Sequence, residues 1–214
     1  MQVDLYHLAQ VLPEPVRRGV IPVHIFFYEC FHGCGTLVLG PNGEHRNIIT
    51  AAHLFSNGSQ GIYFYKILQP LTQELFPIQV AKGLPSLKED LAICRPGNQI
   101  TPIFGFSQYR PGKVEGGMNG IFTNYLDPLP YAIHILSGEK IPVVGVIIKE
   151  TGERYFVLAK KSFPGESGLG FLEPEHDNAL YVLKGSVADR DDPAFFRLTK
   201  NYPHLSLAAL MSYV

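Results

Sequence analysis

The sequence is poor in cysteine. Its 214 residues include three, Cys30, Cys34 and Cys94. A low and odd count is not typical of a secreted disulfide framework. The N-terminus has an early acid, Asp4, and neither a basic segment nor an apolar one, so no signal peptide is predicted. We therefore expect an intracellular (cytoplasmic) protein, or one released without a recognisable signal peptide.

An excess of charge of one sign is also lacking. The chain has 18 basic and 19 acidic residues, for a formal net charge of −1. Its longest Lys/Arg clusters are the dipeptides Arg17-Arg18 and Lys160-Lys161. Such a pattern does not favour nucleic acid or an anionic membrane as the main partner. The apolar runs are too short for a membrane span.

Glycine and proline, by contrast, are abundant, with 21 and 17 residues, in a chain that is 46% hydrophobic. Many turn-forming residues between β-branched and aromatic runs predict short strands joined by loops, and they argue against a helical bundle. The candidate strands are 21–31, 35–39, 46–50, 61–68, 76–81, 90–94, 114–124, 131–136, 142–149, 154–159, 170–172 and 179–187. The expected fold class is all-β.

The candidate strands fall into two groups, one over 21–100 and one over 101–190, and they indicate an all-β barrel or sandwich architecture. An N-terminal arm precedes them over 1–20, where prolines interrupt any helix. A C-terminal segment follows over 191–214. It is predicted to contain a short helix, because apolar residues between Leu205 and Met211 recur at roughly helical spacing.

Three segments carry residues suited to catalysis. A strand ends in small residues followed by His53, and Asp90 heads another apolar strand. Ser167 lies in a glycine-rich loop, where glycine on both sides allows a tight turn that exposes the hydroxyl and the amide groups. A lone histidine or aspartate at such a position is usually structural, but the ordered set of three is far more specific.

The local motifs strengthen this interpretation. The segments Thr50-Ala51-Ala52-His53, Asp90-Leu91-Ala92-Ile93 and Gly165-Glu166-Ser167-Gly168 resemble the three motifs of the chymotrypsin-like (trypsin-like) serine peptidases. Gly35-Thr36-Leu37-Val38 is similar to the strand before their histidine. The resemblance implies two six-stranded antiparallel β-barrels packed side by side, with the site in the crevice between them.

The resemblance also implies a role for each residue. Ser167 is the nucleophile, His53 the general base and acid, and Asp90 the group that orients the imidazole. The backbone N–H groups of Gly165 and Ser167 form the oxyanion hole. The predicted function is a serine endopeptidase that cleaves protein or peptide substrates through an acyl-enzyme, without a cofactor. The alternative is a catalytically silent trypsin-like fold that binds proteins.

Two further features concern the substrate. In the family, the residue six before the serine lies at the base of the S1 pocket, and here it is Lys161. A buried lysine there would select an acidic side chain, whereas a lysine on a differently shaped loop would face solvent. Gly185, Ser186 and Val187 resemble the strand that pairs with the substrate backbone.

The sequence departs from the secreted members of the family. Leu54 follows His53 where those members have a bridged cysteine. Glu166 stands where digestive members have an aspartate that pairs with a newly cleaved N-terminus. We therefore expect an enzyme that is competent without cleavage, similar in its motifs to bacterial and viral branches.

A metal site is the remaining alternative. Cys30, His32 and Cys34 alternate along one predicted strand and would share one face of it. Together with Cys94 they would make four zinc ligands, but a spacing of one residue is unusual for zinc. No metal is assigned.

Overall fold

In the computed structural model, the described residues are 13–55, 62–67, 74–80, 90–97, 102, 108–110, 114, 120–121, 128–150, 152–174, 179–186, 202 and 204–211. No helix within these ranges is long and apolar enough to cross a membrane.

Strands dominate the described residues. The helices are α1 (Glu14–Arg17) and a single 3-10 turn (Ala52–Phe55). The strands are β1 (Val20–Phe27), β2 (Cys30–Leu39), β3 (His45–Ala51), β4 (Tyr63–Ile67), β5 (Leu75–Val80), β6 (Leu91–Pro96), β7 (Gly120–Ile121), β8 (Tyr131–His134), β9 (Lys140–Ile148), β10 (Arg154–Leu158), β11 (Gly170–Glu173), β12 (Ala179–Ser186) and β13 (Ser206–Leu210). The all-β prediction is confirmed.

The first six strands close into an antiparallel barrel. Their order is β1-β2-β3-β6-β5-β4, and β4 pairs with β1 to complete the ring. The side chains of Ile21, Val23 and Ile25 alternate into the interior of this barrel. The predicted arm precedes it: residues 1–12 lie outside the described residues, and α1 buries Val16 against the barrel core.

Six of the remaining strands close a second antiparallel barrel. Their order is β8-β9-β10-β13-β12-β11, with β11 pairing with β8, and β7 adds to the edge of β9. Read along the chain, this is the same order as in the first barrel. The two six-stranded barrels that the resemblance implied are therefore confirmed.

The predicted C-terminal helix is wrong for the residues that form β13. This strand lies between β10 and β12 and pairs with both, in register through Ala208 and Ala209. The alanines favour helix intrinsically, but pairing on two edges and burial of both side chains outweigh that preference. The second barrel thus extends beyond the predicted boundary at residue 190.

An apolar layer joins the barrels. Val38, Ile49 and Leu91 of the first barrel pack in one buried cluster with Val182 and other residues of the second. In β3, Ile48 points into the first barrel and Ile49 into this layer, so both faces of the strand are buried. This explains why the central strands read as continuous apolar runs.

The loop before β11 docks on the first barrel through Gly168. The backbone of Gly168 has φ of +98°, and a Cβ there would lie 2.1 Å from the carbonyl oxygen of Cys34 and 2.3 Å from Oγ1 of Thr50. Its carbonyl accepts a hydrogen bond from Oγ1 of Thr36 at 3.0 Å. Only glycine fits this approach of one barrel to the other.

Two glycine substitutions test this contact. Gly152 also has a positive φ, +86°, but has nothing within 4 Å of the Cβ position. Gly152→Ala should therefore cost only the left-handed backbone strain, about 1 kcal/mol. Gly168→Ala adds a clash with backbone and should cost roughly 3 kcal/mol or more. Guanidinium unfolding measures both, and equal losses would contradict the docking contact.

Candidate active site

The pairing of β3 with β6 brings His53 and Asp90 together. Ala51 lies opposite Leu91 in this pair, so the residues that follow β3 meet the residue that precedes β6. The N–H of Ala52 donates to the carbonyl oxygen of Asp90 at 2.8 Å. The N–H of His53 donates to Oδ1 of Asp90 at 2.7 Å.

The carboxylate of Asp90 also holds the imidazole of His53. Nδ1 of the ring lies 2.9 Å from Oδ2 of Asp90. Burial alone would raise the pKa of Asp90, but the hydrogen bond from the His53 ring and the charge of Lys184 outweigh it and hold this pKa below its usual value. The carboxylate is therefore ionised at neutral pH and fixes the orientation of the ring through Nδ1.

Lys184, which the sequence interpretation did not single out, completes this group from the second barrel. Its Nζ lies 3.0 Å from Oδ2 of Asp90, the same oxygen that the His53 ring contacts. Its side chain is only 12% exposed. The signal in the sequence was a single charge at the end of the apolar strand β12, directly before Gly185.

Contacts with backbone groups of both barrels hold Ser167 beside Lys184. Its hydroxyl donates to the carbonyl oxygen of Lys184 at 3.2 Å. Its own carbonyl accepts from the N–H of Cys34 at 3.3 Å, across the boundary between the barrels. Lys184 thus contacts Ser167 through its backbone carbonyl and Asp90 through its ammonium group. Asp90 in turn contacts His53.

The backbone around Ser167 presents free N–H groups. Gly165 has φ of +89°, a conformation that suits glycine, and a Cβ there would lie 2.7 Å from the ring of Phe31. Within the described part of the chain, the N–H groups of Gly165 and Ser167 donate no hydrogen bond to protein. Free backbone amides are the type of donor that an oxyanion hole requires.

Glu166 lies between Gly165 and Ser167 in the sequence. Its side chain stabilises the loop. Its Oε2 accepts from the N–H of Phe163 at 2.9 Å and pairs with Nζ of Lys160 at 2.7 Å. The N–H of Glu166 donates back to the carbonyl of Phe163 at 3.1 Å. The carbonyl of Lys160 in turn accepts from the hydroxyl of Ser206 in β13 at 2.5 Å.

The structure does not place Lys161 in a buried pocket. Its side chain is exposed, and its Nζ lies 5.3 Å from the centre of the exposed ring of Phe163. The neighbouring Lys160 has the more buried side chain, 12% exposed, and its charge is matched by Glu166. The solvent-facing alternative for Lys161 fits this position better than the predicted S1 base.

The predicted substrate strand is the end of β12. Gly185 and Ser186 pair with β13 on one edge, opposite Leu207 and Ser206. On the other edge, no described strand pairs with them. Val187 lies outside the described residues.

The described residues do not bring the cysteines and His32 together as a zinc site requires. Within the described ranges, which include Cys30, His32, Cys34 and Cys94, no three His, Cys, Asp or Glu residues are placed to hold a metal ion. Burial raises the pKa of the Cys34 and Cys94 thiols to about 12, so both remain protonated at neutral pH. His32 instead contacts the carbonyl of Leu54.

No family model matches the chain. No curated protein matches it either. Among solved structures, it is similar to the serine protease of a human pathogenic astrovirus, with 14% identity over 91% of each chain and a TM-score of 0.46. It is also similar to the MamO protease domain from Magnetospirillum magneticum, with 15% identity over 90% of this chain and 92% of that one and a TM-score of 0.49.

The fold itself is assigned from the strand order, since both similarities are distant. Two closed six-stranded antiparallel barrels of the same topology pack side by side, and His53, Asp90 and Ser167 lie where they meet. The chain has the chymotrypsin-like serine protease fold.

Proposed function

We propose that the protein is a serine endopeptidase. The observation that carries the proposal is the chain of contacts from His53 through Asp90 and Lys184 to Ser167. It brings an oriented imidazole, a carboxylate and a hydroxyl from distant parts of the sequence into one cluster beside two free amides, Gly165 and Ser167.

This arrangement supports acyl transfer. The hydroxyl of Ser167 leaves the carbonyl of Lys184, gives its proton to Nε2 of His53, and its oxygen bonds to the substrate carbonyl carbon. The amides of Gly165 and Ser167 stabilise the resulting oxyanion, each by roughly 3 kcal/mol. His53 then protonates the leaving amine as the C–N bond breaks. Water, deprotonated by His53, hydrolyses the acyl-enzyme and Ser167 regains its proton.

The substrate is expected to be an extended peptide. The edge of β12 at Gly185 and Ser186, with which no strand of the described residues pairs, offers backbone groups for one added strand. The alternative function, a silent protease fold that binds proteins, would use the same edge. One observation favours it: the hydroxyl of Ser167 is engaged by the carbonyl of Lys184.

Labelling by a fluorophosphonate separates the two functions. The probe reacts only with a serine whose proton can be removed and whose oxyanion is stabilised. We expect stoichiometric labelling that Ser167→Ala and His53→Ala abolish, and peptide hydrolysis lower by roughly 10³-fold or more in both variants. Their unfolding midpoints serve as the folding control. Failure to label the well-folded native protein would favour the binding module.

The activity should depend on pH through His53. The imidazole must be neutral to accept the serine proton, so kcat/KM should rise with pH as His53 loses its proton. The pKa of Asp90 lies below its usual value, so this carboxylate stays ionised as His53 titrates and adds no second limb. A profile that stays flat from pH 5 to 8 in a stopped-flow assay would exclude His53 as the base.

The ion pair of Lys160 with Glu166 should support the oxyanion donors. Lys160→Met leaves the carboxylate of Glu166 without its cation and loosens the turn that orients Gly165. We expect kcat to fall by about tenfold with little change in KM. Lys140→Met, at an exposed lysine that lies over the ring of Tyr131, is the matched control and should retain native kinetics. Native kcat in Lys160→Met would show that the pair is only structural.

A further inference from the structure

We propose that Lys184 is a positioning residue that offsets the charge of Asp90 and thereby sets the pH range in which His53 serves as a base. The proposal rests on the proposed function. Its electrostatic part, however, concerns the His53–Asp90 pair itself and is measurable in protein that turns over no substrate.

The geometry places two nitrogens close to one carboxylate oxygen. Nδ1 of His53 lies 2.9 Å and Nζ of Lys184 lies 3.0 Å from Oδ2 of Asp90. The other oxygen, Oδ1, accepts the backbone N–H of His53. When His53 takes a proton, its imidazolium therefore meets a carboxylate already matched by an ammonium, instead of an unmatched negative charge.

The surroundings of the ammonium make this charge effective. The side chain of Lys184 is 12% exposed, so water screens its field far less than that of a surface lysine. A cation at this position disfavours a second cation on the neighbouring ring. Lys184 thus keeps His53 neutral to lower pH than a lone aspartate would, which extends the acid side of the working range.

Among the residues that the structure describes, Lys184 is the lysine whose charge lowers the pKa of Asp90. On β2, Cys34 is protonated and His32 contacts the carbonyl of Leu54. In the serine loop, the carboxylate of Glu166 is paired with Lys160.

The backbone of the same residue positions the nucleophile. The carbonyl of Lys184 holds the hydroxyl of Ser167 at 3.2 Å, and its side chain crosses to the first barrel to reach Asp90. A substitution that shortens or neutralises this side chain removes the direct link between β12 and Asp90. Arginine keeps the charge and the reach, so it should preserve the function.

Titration of His53 by NMR tests the electrostatic part. The protein carries Ser167→Ala, and the His53 signals are assigned by their loss in His53→Ala. Lys184→Met should move the titration midpoint of the ring upward by about half a pH unit or more, because the carboxylate then acts on the ring alone. Lys184→Arg should leave it within about 0.2 unit. The control is Lys149→Met, which removes the charge of a half-exposed lysine that pairs with Glu153 and should also leave it unchanged.

Lys184→Gln, which keeps a polar donor without the charge, provides a second test if the methionine variant does not fold. An unchanged midpoint in either folded neutral variant, or an equal shift in Lys184→Arg, would overturn the proposal. In active protein, the acid limb of kcat/KM should move upward by the same amount in Lys184→Met. If the native protein proves inactive, the serine protease function fails while the NMR midpoints still decide the role of Lys184.

Discussion

The close contact of Gly168 with the first barrel determines the geometry of the crevice. The carbonyl of Cys34 lies against this glycine and accepts a hydrogen bond from Oγ1 of Thr50 at 2.6 Å, three residues before His53. The loop that carries Ser167 and the segment that carries His53 are thus anchored on one short stretch of backbone. A larger side chain at Gly168 would move them apart, and proton transfer depends steeply on such distances.

Two largely buried lysine side chains of the second barrel each pair with one acid of the site. Lys160 matches Glu166 and braces the turn that presents the amides, while Lys184 matches Asp90 and steadies the carboxylate beside the imidazole. Each acid would be costly to bury alone, and each has a cation within 3.0 Å. The site is therefore neutralised by lysines drawn from the polypeptide that also carries the serine loop.

The sequence motifs predicted the architecture because they reflect local requirements on the backbone conformation. Small residues before His53 allow the tight turn after β3, and the glycines around Ser167 allow the positive φ at Gly165 and Gly168. The alternation of apolar residues predicted strands for the same reason. These features depend on neighbours in the chain, so they can be read from it.

The features that could not be predicted from the sequence depend on contacts with residues that are distant in the chain. The alanines of β13 favour helix until β10 and β12 offer two edges to pair with. Lys184 is an isolated charge until the docking of the barrels brings Asp90 to it. Lys161 and Lys160 are equivalent in the sequence, and only the fold of their loop shows which one is buried.

Closure of the second barrel by β13 has a consequence for synthesis of the protein. The strands on either side of β13 emerge from the ribosome well before Ser206–Leu210, so their facing edges remain unpaired until that segment is made. Lys160, whose side chain supports the loop of Ser167, accepts a hydrogen bond on its backbone carbonyl from Ser206 of β13. The second barrel, and with it the support of the loop that carries Ser167, is thus completed late in synthesis.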